Sequence, residues 1–246
     1  MIKTLICLLT FLTLSSFGSA TTDPLLQVDP NEVDLTKDVG PASYYASISH
    51  PPLIEPKAGH LAVDFNLENL DGKSISLKEL SSEKPVVMIS ASASCPIYRN
   101  VMFQVENLRK KYSDKIKVLL IYTLEAHPAI DPSPYTENGS GQWTLAVNVK
   151  ERILVRQTSD YTARKQNAVA MAERYSLDSS SIFVDDINNS FWQNYGKFPN
   201  SLFLVDRSGK VYFSEAWAFK SIDPVTKRPA FEKALSQLLQ MPRLEP

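Results

Sequence analysis

Residues 84–128 read KPVVMISASASCPIYRNVMFQVENLRKKYSDKIKVLLIYTLEAHP, and this stretch decides the fold. Residues 86–90 and 116–122 are continuous apolar runs, which are typical of strands buried on both faces. Between them, apolar residues recur at spacings of 4, 4, 3 and 4, and they are Ile97, Val101, Val105, Leu108 and Tyr112. This spacing predicts one stripe of an amphipathic helix. A strand, a helix and a strand in this order predict a βαβ unit with parallel strands.

The rest of the chain predicts further strands and helices around this unit. Residues 61–67 and 74–77 have extended patterns on either side of the turn 70–73, which predicts a hairpin. Downstream patterns predict helices over 159–175 and 231–239, and strands over 181–185, 201–206 and 211–213. The last two strands are joined by the short turn 207–210, so they should form an antiparallel hairpin. Residues 125–150 form a long loop rich in Pro, Asp and Ser, and loops of this length are more often functional than idle.

This order of elements resembles the thioredoxin-like fold, as peroxiredoxins and related redoxins elaborate it. The predicted fold class is therefore α/β, with a mixed central sheet flanked by helices and an N-terminal hairpin extension. We expect one such domain over residues 58–241, preceded by an irregular, proline-rich arm over 21–57. In that fold a cis proline faces the reactive cysteine, and the resemblance places Pro199 there. We therefore expect a cis bond between Phe198 and Pro199.

Residues 1–20 have the pattern of an export signal. Lys3 precedes an apolar run over 5–14, which is too short for a bilayer, since a spanning helix needs about 20 residues. Gly18-Ser19-Ala20 then supplies the small residues that a signal peptidase reads, so we expect cleavage after Ala20. The mature protein should be exported, either to a periplasm or into the medium. Cleavage would remove Cys7 and leave a single cysteine, Cys95.

The composition is that of a globular protein, which excludes a disordered tail, a collagen-like fibre and a polytopic membrane protein. The chain has 246 residues, of which 43% are hydrophobic and 22% charged, as in ordinary globular proteins. Its formal net charge is −1 at pH 7, so no basic field attracts nucleic acid, and we expect no nucleic-acid partner. The sequence contains no cysteine cluster or paired histidines of the kind that hold metals, so we expect no metal site.

Cys95 is the candidate nucleophile. It follows the first buried strand, and Pro96 occupies the first helical position, where a missing N–H costs nothing. The sulfur should therefore lie at a helix N-terminus, where free N–H groups and the dipole stabilise a thiolate and lower the cysteine pKa. Ser92 and Ser94 are candidate hydroxyl donors to it. The alternative is a small buried core cysteine without a chemical role.

The mature chain offers no second thiol to complete a redox cycle. No C-x-x-C pair and no resolving cysteine accompany Cys95. A sulfenic acid or mixed disulfide on this residue must therefore be reduced by an external thiol, either a small molecule or a thioredoxin-like protein. We expect no other cofactor.

Two further candidates follow the second strand of the βαβ unit. Glu125 and His127 should emerge beside Cys95, because parallel neighbouring strands end at the same edge of the sheet, where open α/β sheets bind ligands. An imidazole there can transfer protons, and we expect Glu125 to set its tautomer and raise its pKa. The alternative for His127 is a solvated loop histidine.

Collinear motifs over residues 60–215 resemble the iodothyronine deiodinase family. They are Lys84-Pro85-Val86-Val87, Ser92-Ala93-Ser94-Cys95-Pro96, Lys110-Lys111-Tyr112, Ile121-Tyr122, Glu125-Ala126-His127-Pro128, Val184-Asp185, Asp186-Ile187-Asn188-Asn189, Tyr195-Gly196, Pro199 and Gly209-Lys210-Val211-Tyr212. Each motif alone is weak, and their common order makes the combination specific.

The resemblance implies roles for several residues. Cys95 stands in the place of the family's reactive selenocysteine, and Glu125 and His127 match its acidic residue and histidine, which help to bind an iodophenol and move protons. Arg164 matches a retained arginine of the substrate site. Thr158 stands where the family has a further substrate-clamping histidine, so the resemblance implies the scaffold and the nucleophile more strongly than it implies thyroid hormone as substrate.

These observations predict an exported oxidoreductase that uses the Cys95 thiolate on a small-molecule substrate, by reductive dehalogenation or related two-electron chemistry. One alternative is a one-cysteine, peroxiredoxin-like peroxidase, which Ser92 favours and Met88, in the place of a proline, disfavours. Another is a non-catalytic binding module that uses the loop 129–150 for a partner. The resemblance also suggests a homodimer.

Overall fold

In the residues that the computed structural model describes, namely 23–35, 40, 42–50, 53–218, 220 and 230–241, seven strands form one mixed sheet. They are β1 (Asn66–Asn69), β2 (Ser74–Ser76), β3 (Val86–Ala91), β4 (Lys117–Tyr122), β5 (Ile182–Val184), β6 (Leu202–Val205) and β7 (Val211–Glu215). Their order across the sheet is β2-β1-β5-β4-β3-β6-β7. The predicted leader, with Cys7, lies outside the described residues, so export remains a prediction.

Helices flank this sheet. They are α1 (Ala42–Ser49), α2 (Leu77–Glu83), α3 (Pro96–Lys111), α4 (Ala146–Glu151), α5 (Tyr161–Tyr175), α6 (Ser190–Asn194) and α7 (Ala230–Gln240). In the described part of the chain, none of the helices is both long and apolar enough to span a membrane.

The parallel centre of the sheet positions the candidate site. β3 pairs with β4 in parallel and in register from Val86 opposite Lys117 to Ala91 opposite Tyr122. β4 pairs with β5 in parallel, whereas β6 is antiparallel to β3. The predicted βαβ unit is therefore confirmed. Because Ala91 and Tyr122 end their strands side by side, the loops that carry Cys95 and His127 leave the sheet as neighbours.

The core lies on both faces of the sheet, which explains why β3 lacks polar alternation. Val87 and Ile89 pack into the apolar cluster that includes α3, α5 and α7, whereas Val86 and Met88 pack into the cluster on the opposite face. Every residue of β3 is buried. Full burial of one such aliphatic side chain stabilises the fold by about 1.5–3 kcal/mol. A strand with two buried faces needs apolar residues at both parities, and a continuous run results.

Three helices arise where the sequence predicts other structure. α2 begins where the pattern predicts a strand to continue, because Ser76 and Glu79 form a reciprocal capping box. α4 lies inside the predicted long loop. α1 lies inside the predicted irregular arm, and neither α1 nor α4 has an apolar pattern long enough to be recognised. The described hairpin strands β1 and β2 are also shorter than predicted.

Candidate active site

Cys95 caps the N-terminus of α3. Its Sγ accepts a hydrogen bond from the backbone N–H of Tyr98 at 3.4 Å. Pro96 follows at the first helical position, as predicted. A second N–H group reaches the sulfur from across the sheet, because Asn200 Nδ2 lies 3.8 Å from Sγ. The sulfur therefore has two donors, which is the arrangement that favours a thiolate.

Burial opposes those donors. The Cys95 side chain has no exposed surface, and its burial raises the pKa of the thiol, against the lowering by the Tyr98 N–H, the Arg99 charge and the Asn200 amide. The expected lowering of the thiol pKa is thus wrong for this closed arrangement, because desolvation of the charged form outweighs the helix N-terminus. The thiol is protonated here at neutral pH.

Buried side chains hold the loop between β3 and Cys95. Arg99 Nη1 donates to the Ala93 carbonyl at 2.8 Å and Nη2 donates to Asn148 Oδ1 at 2.8 Å. Asn148 Nδ2 in turn donates to the Ser94 carbonyl at 2.8 Å. The N–H of Ser94 donates to Glu125 Oε2 at 2.9 Å. Both peptide groups of Ser94 are therefore bound by side chains from other elements, which fixes the position of the next residue, Cys95.

Glu125 supports this loop and does not contact His127. Its carboxylate accepts from the Ser94 N–H and from the hydroxyl of Tyr122. Burial raises the pKa of Glu125, and the bonds from Ser94 and Tyr122 lower it in part. The expectation that Glu125 orients the imidazole is wrong, since both carboxylate oxygens are engaged on the Cys95 side of the junction.

His127 is buried, with 2% of its surface exposed. The alternative of a solvated loop histidine is therefore wrong. Its backbone N–H donates to Ser94 Oγ at 2.9 Å, and its ring packs edge-on against Trp143 with centroids 4.4 Å apart. Burial lowers the pKa of His127 to about 3, although a hydrogen bond with the Trp143 backbone raises it. The predicted rise of this pKa is therefore wrong. The imidazole is neutral at physiological pH, and its Nδ1 has no hydrogen-bond partner among the described residues.

The two serines before Cys95 join the two loops. Ser92 Oγ accepts from the Ala126 N–H at 3.2 Å, and Ser94 Oγ accepts from the His127 N–H. Neither hydroxyl donates to the sulfur in the described part of the structure, so the expected role as thiolate donors is replaced by a positioning role. Both side chains are fully buried.

Arg164 lies below the site and does not reach the sulfur. Its guanidinium donates to the carbonyls of Asp185 and Asp186 at 3.2 and 2.5 Å, and to Asn189 Oδ1 at 2.7 Å. Its Nε is 3.4 Å from Thr158 Oγ1. All of its nitrogens therefore bind the turn after β5 or the segment before α5. This arrangement buttresses the sheet edge, whereas the resemblance implies a contact with substrate.

Pro199 is buried next to the site, but the predicted cis bond is wrong. Among the described residues the cis peptide bond is that of Glu55 and Pro56. The bond before Pro199 is trans, the intrinsically favoured isomer, and Ser90 Oγ holds the Phe198 carbonyl at 2.8 Å. The group that faces Cys95 from this loop is the carboxamide of Asn200.

A set of aromatic rings covers the site, and we call it the aromatic cover. It consists of Tyr44 from α1, Tyr135 and Trp143 from the loop after β4, and Trp217 after β7. The Tyr44 ring lies at the centre, 4.6 Å from Trp143, 5.2 Å from Trp217 and 6.0 Å from Tyr135. His127 borders the same space, 6.3 Å from Tyr44.

Several of these residues carry no clear sequence signal. Arg99 looks like an ordinary polar helix residue, Asn148 looks like a polar residue of the predicted long loop, and Asn200 is recognisable only through its place after Pro199. Trp143 and Tyr135 stand out as the large apolar residues of a polar loop, which indicates anchoring. Tyr44 lies in the arm that the sequence predicts to be irregular, so its place against His127, Trp143 and Trp217 follows only from the structure.

The site combines a buried thiol, two N–H donors and a neutral imidazole under aromatic rings. These groups suit a two-electron reaction of sulfur with an aromatic or other soft substrate. In the described part of the chain, no three His, Cys, Asp or Glu side chains come together as metal ligands.

Comparisons with known proteins show a family and a fold for this chain. The family model described as iodothyronine deiodinase matches residues 55–221, which is more than half of the chain. Among curated proteins, none matches this sequence. The crystal structure named for the thiol:disulfide interchange protein DsbE of Chlorobium tepidum is 18% identical, covers 74% of this chain and 98% of its own, and has a TM-score of 0.50. A solution structure named for a protein disulfide isomerase of Bacteroides thetaiotaomicron is 16% identical over 76% and 93% of the two chains, with a TM-score of 0.48. The fold is thioredoxin-like, as predicted.

Proposed function

Since this chain belongs to the iodothyronine deiodinase family, we propose that it is an exported, thiol-dependent oxidoreductase in which Cys95 is the nucleophile. The observation that carries the proposal is the position of the sulfur. The cysteine that matches the family's reactive residue caps α3, and the Tyr98 N–H and Asn200 Nδ2 both point to it. A cysteine with a purely structural role needs no such donors.

The proposed reaction is reductive removal of iodine from an aromatic ring. The Cys95 thiolate attacks the iodine, so that the S–I bond forms while the C–I bond breaks and its electron pair stays on the ring carbon. That carbon takes a proton, and the product is the de-iodinated ring. One external thiol then attacks the sulfur, releasing iodide and a proton and forming a mixed disulfide. A second thiol restores the Cys95 thiol and leaves as the external disulfide, so two thiols supply the two electrons.

His127 is suited to move the proton in this sequence. In the closed site the pKa of His127 is about 3, so its imidazole can accept the proton of the Cys95 thiol and return it to the ring carbon only after the site opens and water reaches the ring. Its edge-on packing against Trp143 holds the ring in one orientation. Glu125 and the two serines act on the position of the loops and not on the substrate.

The test compares two reactions and two cysteines in the full chain. With dithiothreitol as reductant, 2,6-diiodophenol should release iodide, and Cys95→Ser should abolish the release. Cys7→Ser is the matched control and should leave the rate unchanged, because Cys7 lies in the predicted leader. Hydrogen peroxide should be consumed no faster by the wild-type protein than by Cys95→Ser.

Two other outcomes would contradict the proposal. Faster Cys95-dependent consumption of peroxide without iodide release would favour the one-cysteine peroxidase, for which Cys95 passes through a sulfenic acid. Equal rates for the wild type and Cys95→Ser in both assays would favour a binding module. The compartment is tested separately by the N-terminal sequence of the protein recovered from its natural host, which should begin at Thr21.

A further inference from the structure

The reactive groups of the proposed site are closed to solvent. The exposed fraction of the side chain is 0% for Cys95, 2% for His127 and 1% for Glu125. A substrate that reacts with the sulfur must touch it, so part of the protein has to move before any reaction. The loop that carries Cys95 is a poor choice for that movement, because both peptide groups of Ser94 are held by buried side chains.

Tyr44 is the residue of the aromatic cover that comes from outside the sheet and its connections. Its ring meets Trp143 and Trp217 nearly at right angles, and it also borders His127. Only 8% of its surface is exposed. Trp217, which Tyr44 contacts, precedes Ala218, whose N–H donates to the carbonyl of Asn200 at 2.7 Å. The carboxamide of the same Asn200 reaches Cys95 Sγ, so Tyr44 packs on the residues that flank the sulfur.

Gly40, shortly before α1, lies directly on the indole of Trp143. A Cβ atom added to Gly40 would come within 2.1 Å of Trp143 Cζ2 and 2.5 Å of Cη2. Only a glycine lets the backbone approach a ring this closely. The contacts of Tyr44 in the cover are ring-to-ring packing, and a ring of similar size brought by another molecule can replace such contacts.

We propose that α1 is an internal cover whose Tyr44 phenol occupies the aryl-binding space beside Cys95, and that a phenolic substrate must displace it before the sulfur reacts. The proposal rests on the proposed function, because it assigns the regulation of the same site. It makes the exposed fraction of the Cys95 sulfur depend on α1 in the absence of substrate. Tyr44 is a blocking residue and takes no part in the bond changes.

The first test measures alkylation of Cys95 by iodoacetamide, followed by mass spectrometry of the peptide that contains it. Tyr44→Ala should increase the rate constant by about tenfold or more, since a covered state is typically open for only about 0.1–10% of the time. Tyr44→Phe keeps the ring and should stay within about twofold of the wild type. Rates are taken from about pH 6 to about pH 9.5, because greater access scales the whole curve whereas a changed thiol pKa displaces it.

Tyr45→Ala is the matched control. It removes a ring of the same size from the same helix, but Tyr45 is 48% exposed, and it contacts Tyr44 and Trp143 without a ring contact to His127 or Trp217 among the described residues. Its rate should stay within about twofold of the wild type. Equal acceleration by Tyr45→Ala and Tyr44→Ala, or no acceleration by Tyr44→Ala, would overturn the proposal, since access would then not depend on the phenol of Tyr44.

A second measurement on the wild-type chain decides the matter if Tyr44→Ala fails to fold. Addition of p-cresol should accelerate hydrogen exchange of the amides of α1 severalfold, whereas cyclohexanol should not, and the amides of β3 and β4 should keep their protection in both. Unchanged exchange of α1 with p-cresol would overturn the proposal. Neither measurement needs turnover. Fast alkylation of Tyr44→Ala without iodide release would support the cover and contradict the proposed function, and Cys95-dependent release with no effect of Tyr44 would do the reverse.

Discussion

The two sides of the candidate site are built by different forces. On one side of the sulfur, the loop between β3 and α3 is held by directional hydrogen bonds with Arg99, Asn148 and Glu125. We call this the loop side. On the other side, the aromatic cover is held mainly by ring packing, and Trp143 Nε1 and His127 Nδ1 have no hydrogen-bond partner among the described residues. Directional bonds to buried groups are expensive to break, whereas one ring can replace another at little cost. We infer that the hydrogen-bonded loop side positions the nucleophile, whereas the aromatic cover can open.

Among the variants considered, removal of the Arg99 side chain should have the largest effect on stability, because it removes hydrogen bonds that hold the loop between β3 and α3. Arg99→Ala should lower the free energy of unfolding by about 3 kcal/mol, because it removes the donors to two buried acceptors, the Ala93 carbonyl and Asn148 Oδ1. Urea unfolding measures the loss. Arg156→Ala is the matched control, since Arg156 makes an exposed ion pair with Asp131 worth at most about 1 kcal/mol. Equal losses for the two variants would mean that the loop between β3 and α3 is not held by the Arg99 guanidinium.

A fall in pH should affect the cover first, because the imidazole of His127 borders it and its Nδ1 has no hydrogen-bond partner among the described residues. The pKa of His127 is lowered by burial to about 3, so the unfolded chain, with a histidine pKa of about 6.5, binds a proton that the folded chain does not. Stability from this group is present above about pH 6.5 and is lost as the pH falls towards about 3. From about pH 7 to about pH 5, the wild type should lose about 2 kcal/mol more than His127→Gln in urea unfolding.

His60→Gln is the control for this experiment, since His60 is exposed. It should lose stability between the two pH values as the wild type does. If His127→Gln also follows the wild type, the imidazole is hydrated in solution and the cover is more open than the structure shows.

Gly40→Ala has the smallest expected effect and acts on the cover alone. The added Cβ must move the Trp143 ring or the backbone, which should cost about 1 kcal/mol and accelerate alkylation of Cys95. Gly72→Ala is the matched control. Gly72 has a φ of +85° with nothing within 4 Å of the added Cβ, so its substitution costs a similar amount through the backbone. It should leave alkylation unchanged. Acceleration in both variants would show that general loosening, and not the cover, exposes the sulfur.

Much of the scaffold was predictable, because strands and helices that bury one or two faces have apolar residues at characteristic spacings in the sequence. The apolar runs of β3 and β4 and the stripe of α3 indicate the βαβ unit, and the register of Ala91 opposite Tyr122 then brings two loops together. The capping box of Ser76 and Glu79 was readable as well and would have placed α2. The short helices α1 and α4 were not predictable, because a few turns with mixed side chains have no distinctive period.

The positions where the thiol, the carboxylate and the imidazole leave the sheet follow from local pattern, since apolar runs and helix capping are features of neighbouring residues. The electrostatic state and the partners of these groups follow from the packing of distant segments. The pKa of a thiol, a carboxylate or an imidazole depends on how much water and which dipoles surround it, and these come from segments distant in sequence, such as Tyr44, Asn148 and Asn200. Burial raises the pKa of Cys95 and lowers that of His127, and the Glu125 carboxylate accepts from the Ser94 N–H in the loop of the nucleophile.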